Sequence, residues 1–344
     1  MRRSNGDVLE FLVPRWLRSP HVQSLFNALP VHASPRMFAD VDARPLRIAI
    51  PPQSNLPAGA LHATAWWHAD GSRTAAILVH GVGGSSESRY MVRAAVALYR
   101  AGFHVVRLNL RGAGDSIPDA PLLYHAGLVD DPRLAALAVG AMPRVDGVAL
   151  VGFSLGGNVV LRLAGEWKAR FPSVVRAVAA VSAPMDLVQV SRAIERKRSL
   201  PYRAYILRAL VRQGTDFAAA HPARAPYDVG SLARLRTIRA YDEAVVAPMH
   251  DFASAQDYYA RTSSGTVLPD VRVPTLVVHA DDDPIVPGES VTPWLRDASP
   301  AVKVAWSARG GHVGWFGGLG EGAWVNTWAM DRVVAHLRAH GHAR

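Results

Sequence analysis

The chain has 344 residues, of which 49% are apolar and 19% charged, and it contains no cysteine. That composition supports a packed core and excludes intrinsic disorder, disulfides, thiolate metal sites and a cysteine nucleophile. The formal charge of +10 is spread over arginines in every segment, with lysines only at 168, 197 and 303, whereas a nucleic-acid surface calls for a basic block or stripe.

In chain order, the opening MRRSNGDVLEFLVPRWLRSP begins with a basic pair, but Asp7, Glu10 and Pro14 break its apolar stretch. It does not read as a signal peptide. No run approaches the roughly 18 to 20 apolar residues that cross a bilayer, so a soluble, cytoplasmic protein is expected. Apolar runs bounded by Gly, Pro or Asp then recur at 60–68, 75–80, 104–110, 147–151, 177–182, 275–280 and 302–306, and these predict buried strands. Helical spacing lies between several of them, at Tyr90 to Arg100, Asn158 to Arg170 and Trp324 to His340. Alternating strands and helices predict a mostly parallel sheet covered on both faces.

The rhythm breaks between 184 and 270, where apolar residues come at helical spacing among many arginines, as in PYRAYILRALVRQ. The expectation is one domain over 1–344 with a helical cap or lid inserted at 184–270. Ligands of open α/β sheets bind outside the carboxyl ends of the strands, where such an insertion can cover them. Within it, Arg192-Ala-Ile-Glu-Arg-Lys-Arg198 is the one dense basic run. Such runs usually face water; an anionic membrane surface is the alternative partner.

Gly152-Phe-Ser-Leu-Gly156 follows the strand candidate GVALV and opens a helical stretch. That is the context of a nucleophile elbow, a strained turn that lifts a serine hydroxyl above the strand end. A serine hydroxyl needs a base, and the base needs an orienting acid; for this motif the order is Ser, Asp or Glu, His. The strand TLVVHA runs into Asp281-Asp-Asp-Pro-Ile285, and VKVAW runs into Ala308-Arg-Gly-Gly-His312. Ser154 is therefore the predicted nucleophile, His312 the base and Asp283 the acid. Asp282 and then Asp186, after the preceding strand, remain open as alternatives. The oxyanion needs donors, for which the backbone N–H groups of Leu155 and of Val82, in the loop after AAILVH, are the candidates.

Other motifs carry less. Gly81-Val-Gly83-Gly84-Ser-Ser86 lacks the third glycine and the distal acid of a dinucleotide fingerprint, so no cofactor is expected. His336, His340 and His342 have H-x-x-x-H-x-H spacing, the first two at i, i+4, but a fraying tail is the favoured reading over a metal site, and no metal is expected. His80 and His125 either line the site or pack. Tyr202, Tyr205, Ile206 and Leu210 of the insertion, with Trp315 and Phe316 after the base, either contact an acyl chain or belong to the core.

The segments HGVGGSSESRY, NLRGAGDS, YHAG, GFSLGGN, TIRAYDEAV with DFASAQDYY, HADDDPIVP and GGHVGW together resemble the YheT-like α/β-hydrolases, a family that includes abhydrolase-domain phospholipases and embryogenesis-associated-like proteins. The N-terminal WLRSPHVQSL resembles the family's W…GH-x-QT element, with Pro20 in place of the glycine and Ser24 in place of the threonine. The resemblance implies an α/β-hydrolase fold, a triad of Ser154, Asp283 and His312, and hydrolysis of simple esters or lipids through an acyl-enzyme. An acyltransferase or thioesterase with the same triad is the nearest rival. A non-catalytic membrane-surface module is the other.

Overall fold

In a computed structural model of the chain, residues 11, 13–26, 41–53, 56–167, 172–318 and 327–341 are described. Eight strands form one sheet: β1 Asp42–Ile50, β2 Gly59–Trp67, β3 Arg73–Val79, β4 His104–Leu108, β5 Val145–Phe153, β6 Val175–Val181, β7 Thr275–Ala280 and β8 Val302–Ser307. Their order is β1-β2-β4-β3-β5-β6-β7-β8. The six strands from β4 to β8 in that order are mutually parallel, while β2 runs antiparallel to both β1 and β4.

The central strands carry runs of consecutive apolar residues, such as AAILV in β3 and VALV in β5, because both faces of the sheet are covered. Successive side chains of a strand point to opposite faces. Ala75, Ile77 and Val79 of β3 accordingly join one core with Val148 and Leu150 of β5. Ala76 and Leu78 join the other with Ala149, Val151 and Phe153.

The seven predicted strands correspond to β2 through β8. β1 was not predicted, since DARPLRIAI places Pro45 and two arginines inside the run. The structure explains how it can still pair: β1 is the last strand of the sheet and is bonded on one side only. Proline is tolerated on such an edge because its missing N–H faces no partner.

Helices α1 Pro20–Phe26, α2 Arg89–Arg100, α3 Asp130–Gly140 and α4 Leu155–Glu166 precede β6, and a helix over Trp328–His340 closes the described chain. The expected helix starts and ends at Trp324 and Arg170 lie outside the described residues. Buried Asp131, in the first turn of α3, receives the Arg111 amide at 2.7 Å and its Nε at 2.6 Å, tying α3 to the loop that leaves β4. A buried ion pair keeps its place only when its remaining hydrogen bonds are made as well.

Between β6 and β7 the described residues contain helices and turns and no strand: α5 Leu187–Ile194, the 21-residue α6 Leu200–Ala220, short turns at Val229–Leu232 and Ile238–Tyr241, a π-turn Asp242–Val246 and a helix over Ala255–Thr262. Capping side chains set several starts, with Asp186 receiving the Gln189 amide and Ser254 that of Asp257. Arg192, Arg196, Lys197 and Arg198 are exposed, as expected of a solvated run. Among the described residues no helix is long and apolar enough to cross a membrane.

Candidate active site

Ser154 sits between the end of β5 and the first residue of α4, with φ 51° and ψ −122°. A side chain rarely adopts this conformation, and it costs free energy that the surroundings must supply. Glycines at 152 and 156 make it possible, because a Cβ on Gly152 would overlap the Gly156 carbonyl and one on Gly156 would overlap the Val79 carbonyl. Asn158, one turn into α4, donates from Nδ2 to the carbonyls of Ala126 and Thr262 and receives the Ser264 amide. The elbow is thereby fastened to YHAG and to the chain re-entering the sheet.

The structure brings Ser154, His312 and Asp283 into one line. His312 Nε2 lies 2.9 Å from Ser154 Oγ. Its Nδ1 lies 2.9 Å from Asp283 Oδ2 and 3.2 Å from Oδ1. With Nδ1–H donating to the carboxylate, Nε2 is left as the acceptor for the serine hydroxyl.

Asp283 is buried, and burial opposes its charge. The interaction with His312, charge and hydrogen bond together, outweighs this and holds the carboxyl below its ordinary range. The amides of Ile285 and Val286 add two donors to Oδ1, at 2.8 and 2.9 Å, so the Pro-Ile-Val turn delivers this carboxylate to the imidazole. The two alternatives are otherwise engaged. Asp186 caps α5, and Asp282 is half-buried, with its carboxyl pushed up to about 6 by burial and bonded to the Gly310 backbone.

Val82 and Leu155 both line the space beside Ser154. The amides of Gly81 and Gly83, on either side of Val82, donate to the hydroxyls of Tyr90 and Tyr124 at 2.8 and 2.7 Å. Among the described residues neither the Val82 nor the Leu155 amide donates a hydrogen bond, the condition required of donors held for a developing oxyanion. The two tyrosines were not foreseen, since nothing local in the sequence links them to that loop.

His80 and His125 take packing roles. His80 is fully buried, with Nδ1 bonded to the Gly81 carbonyl at 2.8 Å and Nε2 receiving the Leu110 amide; burial holds it down at about 4. His125 packs against His250, Phe252 and Tyr258, and burial keeps it well below the usual histidine value. His336 corrects the expectation of a fraying tail. It lies in the closing helix with Nε2 on the Pro274 carbonyl at 3.3 Å, because that helix packs on the sheet. His342 lies outside the described residues. Among the described residues no three His, Cys, Asp or Glu side chains could together hold a metal ion.

Two cavities meet at Ser154. The larger, about 340 Å³, is lined by Tyr202, Tyr205, Ile206, Leu25, Val82 and His312 among others, and its outer residues Leu25 and Tyr205 are 53% and 68% exposed. The smaller, about 100 Å³, extends inward past Leu187, Val190, Ile194 and Ile238 to Tyr259 and Asp242. Tyr202, Tyr205 and Ile206 therefore do face a site. Leu210, Trp315 and Phe316 are core residues: Trp315 packs on Trp328, and Phe316 lies under the Arg93 guanidinium.

Asp242 receives the Tyr259 hydroxyl at 2.6 Å, yet burial pushes its carboxyl up from 3.8 to about 7. Between those values the unfolded chain has lost the proton that the folded chain keeps, so stability falls as pH rises from about 4 to 7. The loss then levels off at about 4 kcal/mol, at 1.36 kcal/mol per unit. Asp242→Asn removes that loss, and thermal melts should show its Tm several degrees above the parent at pH 8.5 but not at pH 4. Equal shifts at the two pH values would contradict the buried proton.

An open, mainly parallel sheet with a strained serine at a strand-to-helix turn and an Asp-His pair on later strand ends defines the class of α/β hydrolases. The family model for the alpha/beta hydrolase fold matches residues 75–316, and the chain belongs to that family. Within it, the chain is 31% identical to YheT of Escherichia coli (strain K12) over 76% of this chain and 77% of that protein. It is 28% identical to the monoacylglycerol lipase of Saccharomyces cerevisiae over 72% of this chain, spanning 56% of that longer protein, and 26% identical to the phospholipase ABHD3 of Mus musculus over 79% and 66%. Among solved structures, the Pyrococcus furiosus esterase Pf2001 superposes with a TM-score of 0.56 at 16% identity, covering 91% of this chain and 98% of that one. This last likeness concerns the fold.

Proposed function

We propose that the protein is a hydrolase of the esterase and lipase kind that cleaves carboxylic esters through an acyl-enzyme on Ser154. The observation that carries this reading is the line from Asp283 through His312 to Ser154 at the junction of two apolar cavities. His312 Nε2 takes the proton of Ser154 Oγ as the oxygen attacks the ester carbonyl. The N–H groups of Val82 and Leu155 hold the oxyanion. Collapse breaks the bond to the leaving alcohol, which receives the proton from the imidazolium. Water, deprotonated in turn by His312, then releases the acid and restores the serine.

Residues 184–270 act as a cap, since α6 supplies Tyr202, Tyr205 and Ile206 to the larger cavity and α5 supplies Leu187, Val190 and Ile194 to the smaller. Apolar walls on both sides of the nucleophile suit an ester with an apolar acyl group and an apolar alcohol, and the relatives named as a monoacylglycerol lipase and a phospholipase support lipids as that class.

A fluorophosphonate probe tests the nucleophile, with mass spectrometry of the labelled peptide expected to place the adduct on Ser154. Rates on p-nitrophenyl esters of increasing chain length test the cavities. The value of kcat/KM should rise with acyl length and then fall once the chain exceeds the cavity; a preference for acetate over every longer ester would contradict an apolar acyl site.

A further inference from the structure

The segment carrying His312 leaves β8 at Ser307 and runs to Phe316 without regular secondary structure. Backbone N–H and C=O groups buried in such a segment need partners from elsewhere. Here the partners are side chains from distant parts of the chain. The His312 amide donates to Ser24 Oγ at 2.8 Å, and that hydroxyl donates to the Pro20 carbonyl at 2.7 Å. Gln23, 1% exposed, holds Phe316 by both of its backbone polar groups: Oε1 receives the Phe316 amide at 2.7 Å and Nε2 donates to its carbonyl at 3.0 Å. Nε2 also donates to the Leu17 carbonyl. The Val313 amide donates to Ser182 Oγ at 3.0 Å.

These bonds hold a backbone that would not rest there by itself. Gly311 has φ 126° and Val313 has φ 58°, and a β-branched residue at positive φ is a true outlier. Strain of this kind persists only where the surroundings over-determine it. Helix α1 also approaches closely: a Cβ on Gly311 would come within 2.7 Å of the Pro20 carbonyl. At its other side α1 reaches α6, where His21 Nδ1 lies 2.8 Å from the Tyr202 hydroxyl. The whole of α1 precedes the residues matched by the family model, 75–316; its Ser24 and Leu25 border the larger cavity, but no bond-making or proton-transfer step described above is assigned to it.

We propose that Gln23 and Ser24 are positioning residues of the reaction, together clamping the histidine loop from α1 so that His312 Nε2 stays in reach of Ser154 Oγ. This rests on the triad reading above. A misplacement of about 1 Å can cost on the order of 100-fold in rate, so a clamp on the base acts on kcat and leaves ester binding nearly alone.

Ser24 gives the test, because its hydroxyl can be removed or kept in side chains of similar shape. Ser24→Ala and Ser24→Val are expected to lower kcat on p-nitrophenyl butyrate by roughly 10- to 100-fold, with KM changed less than threefold and fluorophosphonate labelling slowed in parallel. Ser24→Thr keeps the acceptor and should recover most of the rate. The Thr and Val variants differ by one hydroxyl, so comparing them at matched Tm separates positioning from stability. A kcat within twofold of the parent in both Ser24→Ala and Ser24→Val overturns the proposal, as does a Thr variant no faster than the Val variant. Ser154→Ala run alongside keeps the two readings apart: if it stays active, the triad reading fails, and if it is dead while the Ser24 variants are unaffected, only the clamp fails.

Discussion

Ser154→Ala is expected to lower kcat on a p-nitrophenyl ester by about 10⁴- to 10⁶-fold and to abolish fluorophosphonate labelling, while Tm stays within a few degrees of the parent. The size follows from what remains. Without Oγ there is no atom to form the acyl-enzyme, and only the amides of Val82 and Leu155 and the apolar walls still favour the transition state. Tm should hold or rise, because alanine removes a hydroxyl and leaves the turn held by the Ser154 amide on the Val181 carbonyl and the Asn158 amide on the Ser154 carbonyl. Labelling retained in a folded Ser154→Ala protein would sink the assignment.

The second large effect belongs to Asp283. Asp283→Asn should lower kcat by about 10⁴-fold with KM little changed, on the scale known for the acid of a serine triad. The two amides on Oδ1, from Ile285 and Val286, accept only an oxygen at that position. They hold the new carboxamide so that its NH₂ group faces His312 Nδ1 in place of Oδ2. Nδ1 must then accept, the proton moves to Nε2, and the base can no longer take the serine proton. Asp282→Asn is the control and should remain within a few-fold of the parent, since the carboxylate bonded to His312 Nδ1 is that of Asp283. If Asp282→Asn proved the damaging change, the acid would have been misassigned between neighbours.

The remaining expectations concern the acyl cavities, the buried proton on Asp242 and the Ser24 clamp, and each reads a different quantity. Chain-length rates report cavity depth, the Asp242→Asn melts report a linkage between pH and folding, and the Ser24 series reports kcat against KM. The Asp242 result is independent of the reaction. It would stand even if the esters tested were poor substrates.

Much of the fold and most of the candidate site are legible in the sequence. The central strands could be read because parallel strands covered on both faces are continuous apolar runs, and VALVGF or TLVVHA carries that signal locally. The elbow could be read because Gly152 and Gly156 flank Ser154 in the sequence itself. β1 escaped because an edge strand carrying Pro45 lacks that signal.

What the sequence determined by itself was whatever depends on near neighbours: strand and helix alternation, the strained serine turn, and the order of serine, acid and base. Only the tertiary structure sets Asp283, among Asp186, Asp282 and Asp283, within hydrogen-bond distance of His312 Nδ1. Adjacent carboxylates differ in direction and burial, and those are set by how the Pro-Ile-Val turn packs. The tertiary structure also gave WLRSPHVQSL its place. Gln23 and Phe316 are 293 positions apart, and a hydrogen bond across that separation depends on two segments meeting in space, which no local spacing encodes.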